Sequence, residues 1–144
     1  MEYERFIREV EARLGVPKDE AEKVTQAVLR ELHDRLTPKE SDDLGAQLPG
    51  PLKQFWFSLD KPGREVERTH KKDFIRYVAE KTELPEDRAN RAVMAVFKAL
   101  QLALKAPTGQ EGEAWDVLSQ LPKDLKRVWL AAATMPAPKA AKAS

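Results

Sequence analysis

The chain has 144 residues, a length that suffices for one hydrophobic core or for two small fused ones. Its 25 basic and 24 acidic residues leave a net charge of +1, so the overall charge does not direct the protein to nucleic acid or to an anionic membrane. The absence of cysteine excludes disulfides, zinc–thiolate sites and iron–sulfur clusters. The sequence shows neither a secretory signal nor a membrane-spanning apolar stretch, so we expect a soluble cytoplasmic protein.

A residue pattern occurs twice along the chain, which predicts a tandem duplication. Residues 6–10 (FIREV) return as residues 74–78 (FIRYV), and residues 47–49 (QLP) return as residues 120–122. The pattern divides the chain into repeat one over residues 1–57, a connector over 58–69, repeat two over 70–133 and a tail over 134–144. The tail is mostly Pro, Ala and Lys, and we expect it to be disordered.

Within repeat one, the spacing of apolar residues predicts four helices separated by proline. An amphipathic first helix should end before Gly15. Pro17 should then open a second helix, as proline at the first helical position does. This helix should run from about Lys18 to Leu36 and be buried on one side. Residues 37–40 (TPKE) have capping-box spacing and predict the start of a third helix. The next prolines end that helix and begin a fourth.

Repeat two follows the same plan, with helices over 71–81, 85–105 and 122–133, a loop over 107–112 and a further helix around Trp115. No run of alternating β-branched residues occurs, so we expect no strands. The predicted fold is all-α, a tandem duplication of a three- to four-helix unit packed as one compact bundle. The predicted core contains equivalent buried pairs: Phe6/Phe74, Val10/Val78, Val28/Val96, Leu32/Leu100, Leu48/Leu121 and Trp56/Trp129.

These elements together carry a family resemblance. Each repeat has Phe-Ile-x-x-Val, then Val-Pro or Leu-Pro before a long helix, then Gln-Leu-Pro and a closing aromatic residue, and the two repeats flank residues 62–64 (PGR). The combination resembles the bacterial family known as domain of unknown function 2267, over about residues 3 to 130. The resemblance implies an all-helical two-repeat fold with an uncharacterised role, and it supplies no catalytic or binding residues.

Motifs that carry chemistry are absent from the sequence. The two histidines, His33 and His70, belong to no H-E-x-x-H motif and are expected on the surface. The serines lie in no Gly-x-Ser-x-Gly context, and the six glycines form no phosphate-binding loop. We therefore predict no catalytic residue, no cofactor and no metal site.

The long helix of repeat two is more apolar than its counterpart in repeat one. Its Ala99, Leu102 and Ala103 stand where repeat one has charged residues, so its apolar arc is wider. Either this helix is central and covered, which we favour, or the extra face is a self-association surface. Trp115 has no counterpart in repeat one and is the aromatic residue most open to a partner. The possible partner face is thus Ala99, Leu102, Ala103 and Trp115.

The leading functional hypothesis is a non-catalytic helical module that binds another protein or itself. The alternative is nucleic-acid binding through repeat two, which acidic residues interleaved among its basic ones disfavour. That alternative would use Lys71, Lys72, Arg76, Lys81, Arg88, Arg91, Lys123, Lys126 and Arg127.

Overall fold

The structure is a computed structural model, and it describes residues 1–63, 65–66, 71–104 and 121–136. Within these ranges there are seven helices and no strand, which confirms the all-α prediction. The predicted loop over 107–112, the helix around Trp115 and residues 137–144 of the tail lie outside the described residues. The helices are α1 (Tyr3–Leu14), α2 (Lys18–Arg35), α3 (Pro38–Ala46), α4 (Gly50–Ser58), α5 (Lys71–Thr82), α6 (Glu86–Ala103) and α7 (Lys123–Ala133).

Prolines mark the helix starts, and Pro17, Pro85 and Pro122 do so as N-caps, directly before the first helical residue. Pro17 is the N-cap of α2 in an extended conformation, with φ −70° and ψ 167°, and its carbonyl accepts from the Ala21 N–H at 3.0 Å. The predicted start at Lys18 is confirmed, but Pro17 is the N-cap and not the first helical residue, because its fixed φ suits the cap and its carbonyl starts the hydrogen-bond ladder. Thr37 caps α3 as predicted, accepting from the Glu40 N–H at 3.3 Å.

Left-handed residues end both α1 and α5. Gly15 has φ 68°, and its N–H donates to the Glu11 carbonyl at 2.7 Å. The corresponding residue after α5 is Glu83, with φ 58°. A residue with a Cβ is strained in this conformation, whereas glycine is not.

The two long helices, α2 and α6, contact each other at the centre of the fold. Helix α1 packs against both α2 and α6, and α5 packs against both α6 and α2. Helix α4 packs against α1, α2 and α3, while α7 packs against α6. Buried residues from all seven helices form one hydrophobic cluster, so the two halves of the chain share a core.

The predicted burial of the six residue pairs is confirmed, since none of the twelve side chains is more than 4% exposed. The two tryptophans differ in their partners. Trp56 donates from its indole nitrogen to the Ser41 carbonyl at 2.8 Å, whereas the ring of Trp129 lies 4.9 Å from that of Phe97. Equivalent burial is therefore achieved with different local contacts.

Helix α2 is buried on more sides than its apolar arc predicts. Glu31 and Arg35 are 8% and 2% exposed, and the Arg35 guanidinium lies 3.2 Å from the Glu31 carboxylate and 4.8 Å from the centre of the Phe74 ring on α5. The prediction of one-sided burial is wrong, because ion pairing and cation–π contact allow charged side chains to enter the α2–α5 interface. At the equivalent α1–α6 interface the corresponding residues are alanines.

No helix within residues 1–63, 71–104 and 121–136 combines the length and apolar character needed to cross a membrane.

Candidate functional site

A cleft with a volume of about 160 Å³ opens along one face of α2. Its floor is the helical stripe Lys23, Gln26, Ala27 and Arg30, and its other lining residues are Phe55 of α4 and Lys81 of α5. We call this feature the basic cleft, because its lining contains three cations and no carboxylate.

The spacing of the α2 residues explains why they share a face. Positions 23, 26, 27 and 30 follow the i, i+3, i+4, i+7 pattern of one helical stripe. The other sides of α2 are covered by α1, α4, α5 and α6, which leaves this stripe as an open face. Ala27, only 8% exposed, has a small side chain that keeps the floor low between the longer residues.

The cations of the basic cleft are not neutralised within the described part of the chain. Lys23, Arg30 and Lys81 are exposed and take part in no ion pair there. The nearest buried carboxyl group is that of Glu31, next to Arg30 in sequence, and its side chain is turned to Arg35 instead. Burial raises the pKa of Glu31, while the adjacent Arg35 acts in the opposite direction. The cleft therefore presents to a ligand three cations that form no ion pair among the described residues.

His33 corrects the expectation of a surface histidine. It is fully buried, its Nε2 lies 2.6 Å from Oδ1 of Asp60, and its ring meets Trp56 edge-on with 4.9 Å between centroids. Asp60 follows α4 in the chain, so the contact ties the residues after α4 to the end of α2. The expectation was wrong because Trp56 and Asp60, the residues that cover His33, lie more than twenty positions away in the sequence.

The predicted partner face is not one open surface. Ala99 is fully buried in the core, Ala103 packs against it and Leu102 is half-buried, while Trp115 lies outside the described residues. The burial of Ala99 favours the central position of α6 over a self-association face. A partner could reach Leu102 but not Ala99.

The basic residues of repeat two lie in different surroundings. Lys71 and Lys72 line a cleft of about 450 Å³ together with the carboxylates of Glu86, Asp87 and Asp124. Arg76 is 3.1 Å from Asp73 and 4.0 Å from Glu80, whereas Lys81 belongs to the basic cleft. Lys71, Lys72 and Arg76 therefore have carboxylates beside them, whereas the cleft that contains Lys81 has none in its lining.

Lys81 is among the candidates predicted from the sequence, whereas Lys23, Arg30 and Phe55 are not. Lys23 and Arg30 are spaced to share one face of α2, which the sequence alone reveals, but the walls of the cleft come from α4 and α5. In the described ranges, no group of three or more His, Asp and Glu residues is placed to hold a metal ion.

Comparison with curated proteins returned no significant match. A family model does match, over residues 3–128, which is most of the chain and all seven helices except the end of α7. On that match, the chain belongs to the family of uncharacterized conserved proteins designated DUF2267.

Proposed function

We propose that this protein is a non-catalytic helical module that binds an acidic segment of another protein through the basic cleft. The observation that carries the proposal is the lining of the cleft, where Lys23, Arg30 and Lys81 meet with no carboxylate among them. Holding like charges around one concave surface costs free energy, which an anionic ligand would recover.

An acidic protein segment fits this cleft better than a nucleic acid. Nucleic-acid binding needs cations along an extended path of phosphates. The basic cleft contains Lys81 and no carboxylate, but the cleft that contains Lys71 is also lined by three carboxylates, which would repel phosphates. The half-buried Phe55 and the small Ala27 add apolar contact, which suits the methylene groups of a peptide side chain.

The proposal includes the duplicated architecture and a cytoplasmic location. Corresponding positions of the two halves are buried in corresponding helices, and α1 and α5 each pack across both halves, which supports a duplicated unit. The lack of cysteine suits a reducing compartment. Binding to a second copy through Leu102 is the weaker form of the proposal, because Ala99 beside it is buried.

The test is the binding of a fluorescent glutamate-rich helical peptide, measured by anisotropy at low ionic strength. Exposed charges are reversed in the cleft with Lys23→Glu/Arg30→Glu, and outside it with the matched control Arg88→Glu/Arg91→Glu on α6. We expect the cleft variant to bind about tenfold more weakly and the control to bind as the wild type does.

Equal weakening by both variants would mean that only the overall charge matters, and would contradict the proposal. Binding of a DNA duplex that is lost in the Arg88→Glu/Arg91→Glu variant would favour the nucleic-acid alternative instead. Circular dichroism of both variants checks that they remain folded, which is expected because all four side chains are exposed.

A further inference from the structure

We infer that the ligand of the basic cleft is the C-terminal end of a helix of the partner protein. This inference rests on the proposed function and makes it more specific. It comes from the contacting pair α1 and α6, where residues that correspond in sequence to those of the basic cleft already hold the chain at the end of a helix.

Two cations, one on α6 and one on α1, bind the chain at the end of α7. Lys98 of α6 donates from Nζ to the Ala133 carbonyl at 2.9 Å, and Arg13 of α1 donates to the Pro136 carbonyl at 2.6 Å. Ala133 is the last residue of α7, so its carbonyl has no acceptor role within the helix. Lys98 thus caps the negative end of α7, and Arg13 holds the chain three residues beyond it.

These cations correspond to residues of the basic cleft. In the repeat register, Lys98 aligns with Arg30 and Arg13 aligns with Lys81. The packing corresponds too, since Lys98 and Arg13 lie on the contacting pair α6 and α1, while Arg30 and Lys81 lie on the contacting pair α2 and α5. Both contacting helix pairs therefore carry a cation on each of their two helices, at positions that correspond in sequence.

Helix α4 corresponds to α7 in the repeat register, but it ends earlier than α7 does. Helix α4 ends at Ser58, which aligns with Ala131, whereas α7 continues to Ala133. The residue that aligns with Ala133 is Asp60, and its side chain is directed to His33 at 2.6 Å. Asp60 thus ties the end of α4 to the end of α2, and within the described part of this segment no hydrogen bond or ion pair joins the chain to Arg30 or Lys81.

The chemistry of an external ligand follows from this difference. A helix C-terminus offers unpaired carbonyls and a negative partial charge, and acidic groups near it strengthen the attraction to cations. An extended peptide could not add as a strand, because the described residues contain no strand. The α7 end of a second copy is already bound in its own chain, so a different protein is the occupant.

The experiment compares three helical peptides of one composition, titrated into the full chain with anisotropy as the readout. The first carries two glutamates and a free carboxylate at its C-terminal turn, the second has the same sequence with a C-terminal amide, and the third carries the glutamates at its N-terminal turn. We expect the first to bind most tightly and the third about tenfold more weakly. We also expect Arg30→Gln/Lys81→Gln to abolish that preference.

The outcomes separate the two proposals. Equal binding of the first and third peptides, still lost in the Lys23→Glu/Arg30→Glu variant, would overturn the helix-end inference and leave the proposed function standing. Absence of binding by every acidic peptide would overturn the proposed function itself. Sedimentation of the protein alone tests self-association, and a dimer that dissociates in Arg30→Gln/Lys81→Gln would identify a second copy as the occupant and contradict the inference.

Discussion

The buried ion pair between Glu31 and Arg35 gives the sharpest stability prediction. Replacing Arg35 by Met keeps much of the side-chain volume over Phe74 but leaves the Glu31 carboxylate, 8% exposed, without its guanidinium. Breaking a buried pair from one side costs about 3–5 kcal/mol, whereas replacing both charges by apolar groups is close to neutral. We therefore expect Arg35→Met to lose about 3–5 kcal/mol of unfolding free energy, and Glu31→Met/Arg35→Met to recover most of that loss.

Urea denaturation followed by far-ultraviolet circular dichroism measures the three stabilities, and Glu31→Met completes the double-mutant cycle. The corresponding pair in repeat two, Ala99 and Ala103, shows that this fold accepts uncharged residues at the equivalent interface. The assignment of a buried pair would be refuted if Arg35→Met lost less than about 1 kcal/mol of unfolding free energy, or if the double variant were less stable than Arg35→Met.

Three further predictions concern single residues. Glu83→Gly should raise the unfolding free energy by about 1 kcal/mol, because Glu83 is strained at φ 58°; an unchanged or lower thermal midpoint would contradict this. Gly45→Ala should lower it by about 1–3 kcal/mol, because the added Cβ would lie 2.6 Å from Trp56 and 2.7 Å from Phe57; a more stable variant in thermal denaturation would show that these rings yield. The raised pKa of Glu31 means that its folded form holds a proton more tightly, so this group costs stability as pH rises from its unfolded pKa of 4.5 through its folded pKa. Relative to Glu31→Gln, the wild type should therefore be more stable at acidic than at neutral pH in urea denaturation, and a difference that does not change with pH would contradict the shift.

Much of the fold follows from the sequence, because apolar residues at helical spacing specify which faces are buried. Phe6 and Phe74, or Trp56 and Trp129, are predicted correctly because each lies on a stripe of apolar residues at helical spacing. Residues such as Phe74 therefore need no tertiary information to be placed in the core.

The burial of His33, Glu31 and Arg35 could not be predicted in this way. Periodicity assigns a polar residue to the surface unless its partner is known, and the partners Asp60 and Phe74 are far away in sequence. The basic cleft was missed for the same reason, because its walls come from three helices. The role proposed for Arg30 depends on comparison with Lys98, the corresponding residue of α6, which binds the end of α7.

The central claim is that the basic cleft is the binding surface of this protein. Nuclear magnetic resonance of the isotope-labelled full chain, titrated with the peptide that carries a free carboxylate and two glutamates at its C-terminal turn, tests it most directly. We expect the backbone signals of the cleft residues to shift together and to reach a plateau as peptide is added, while the signals of α7 do not shift. The cleft residues are Lys23, Gln26, Ala27, Arg30 and Lys81. Shifts centred on Leu102 or on Lys71 and Lys72, or no saturable shift at all, would contradict it.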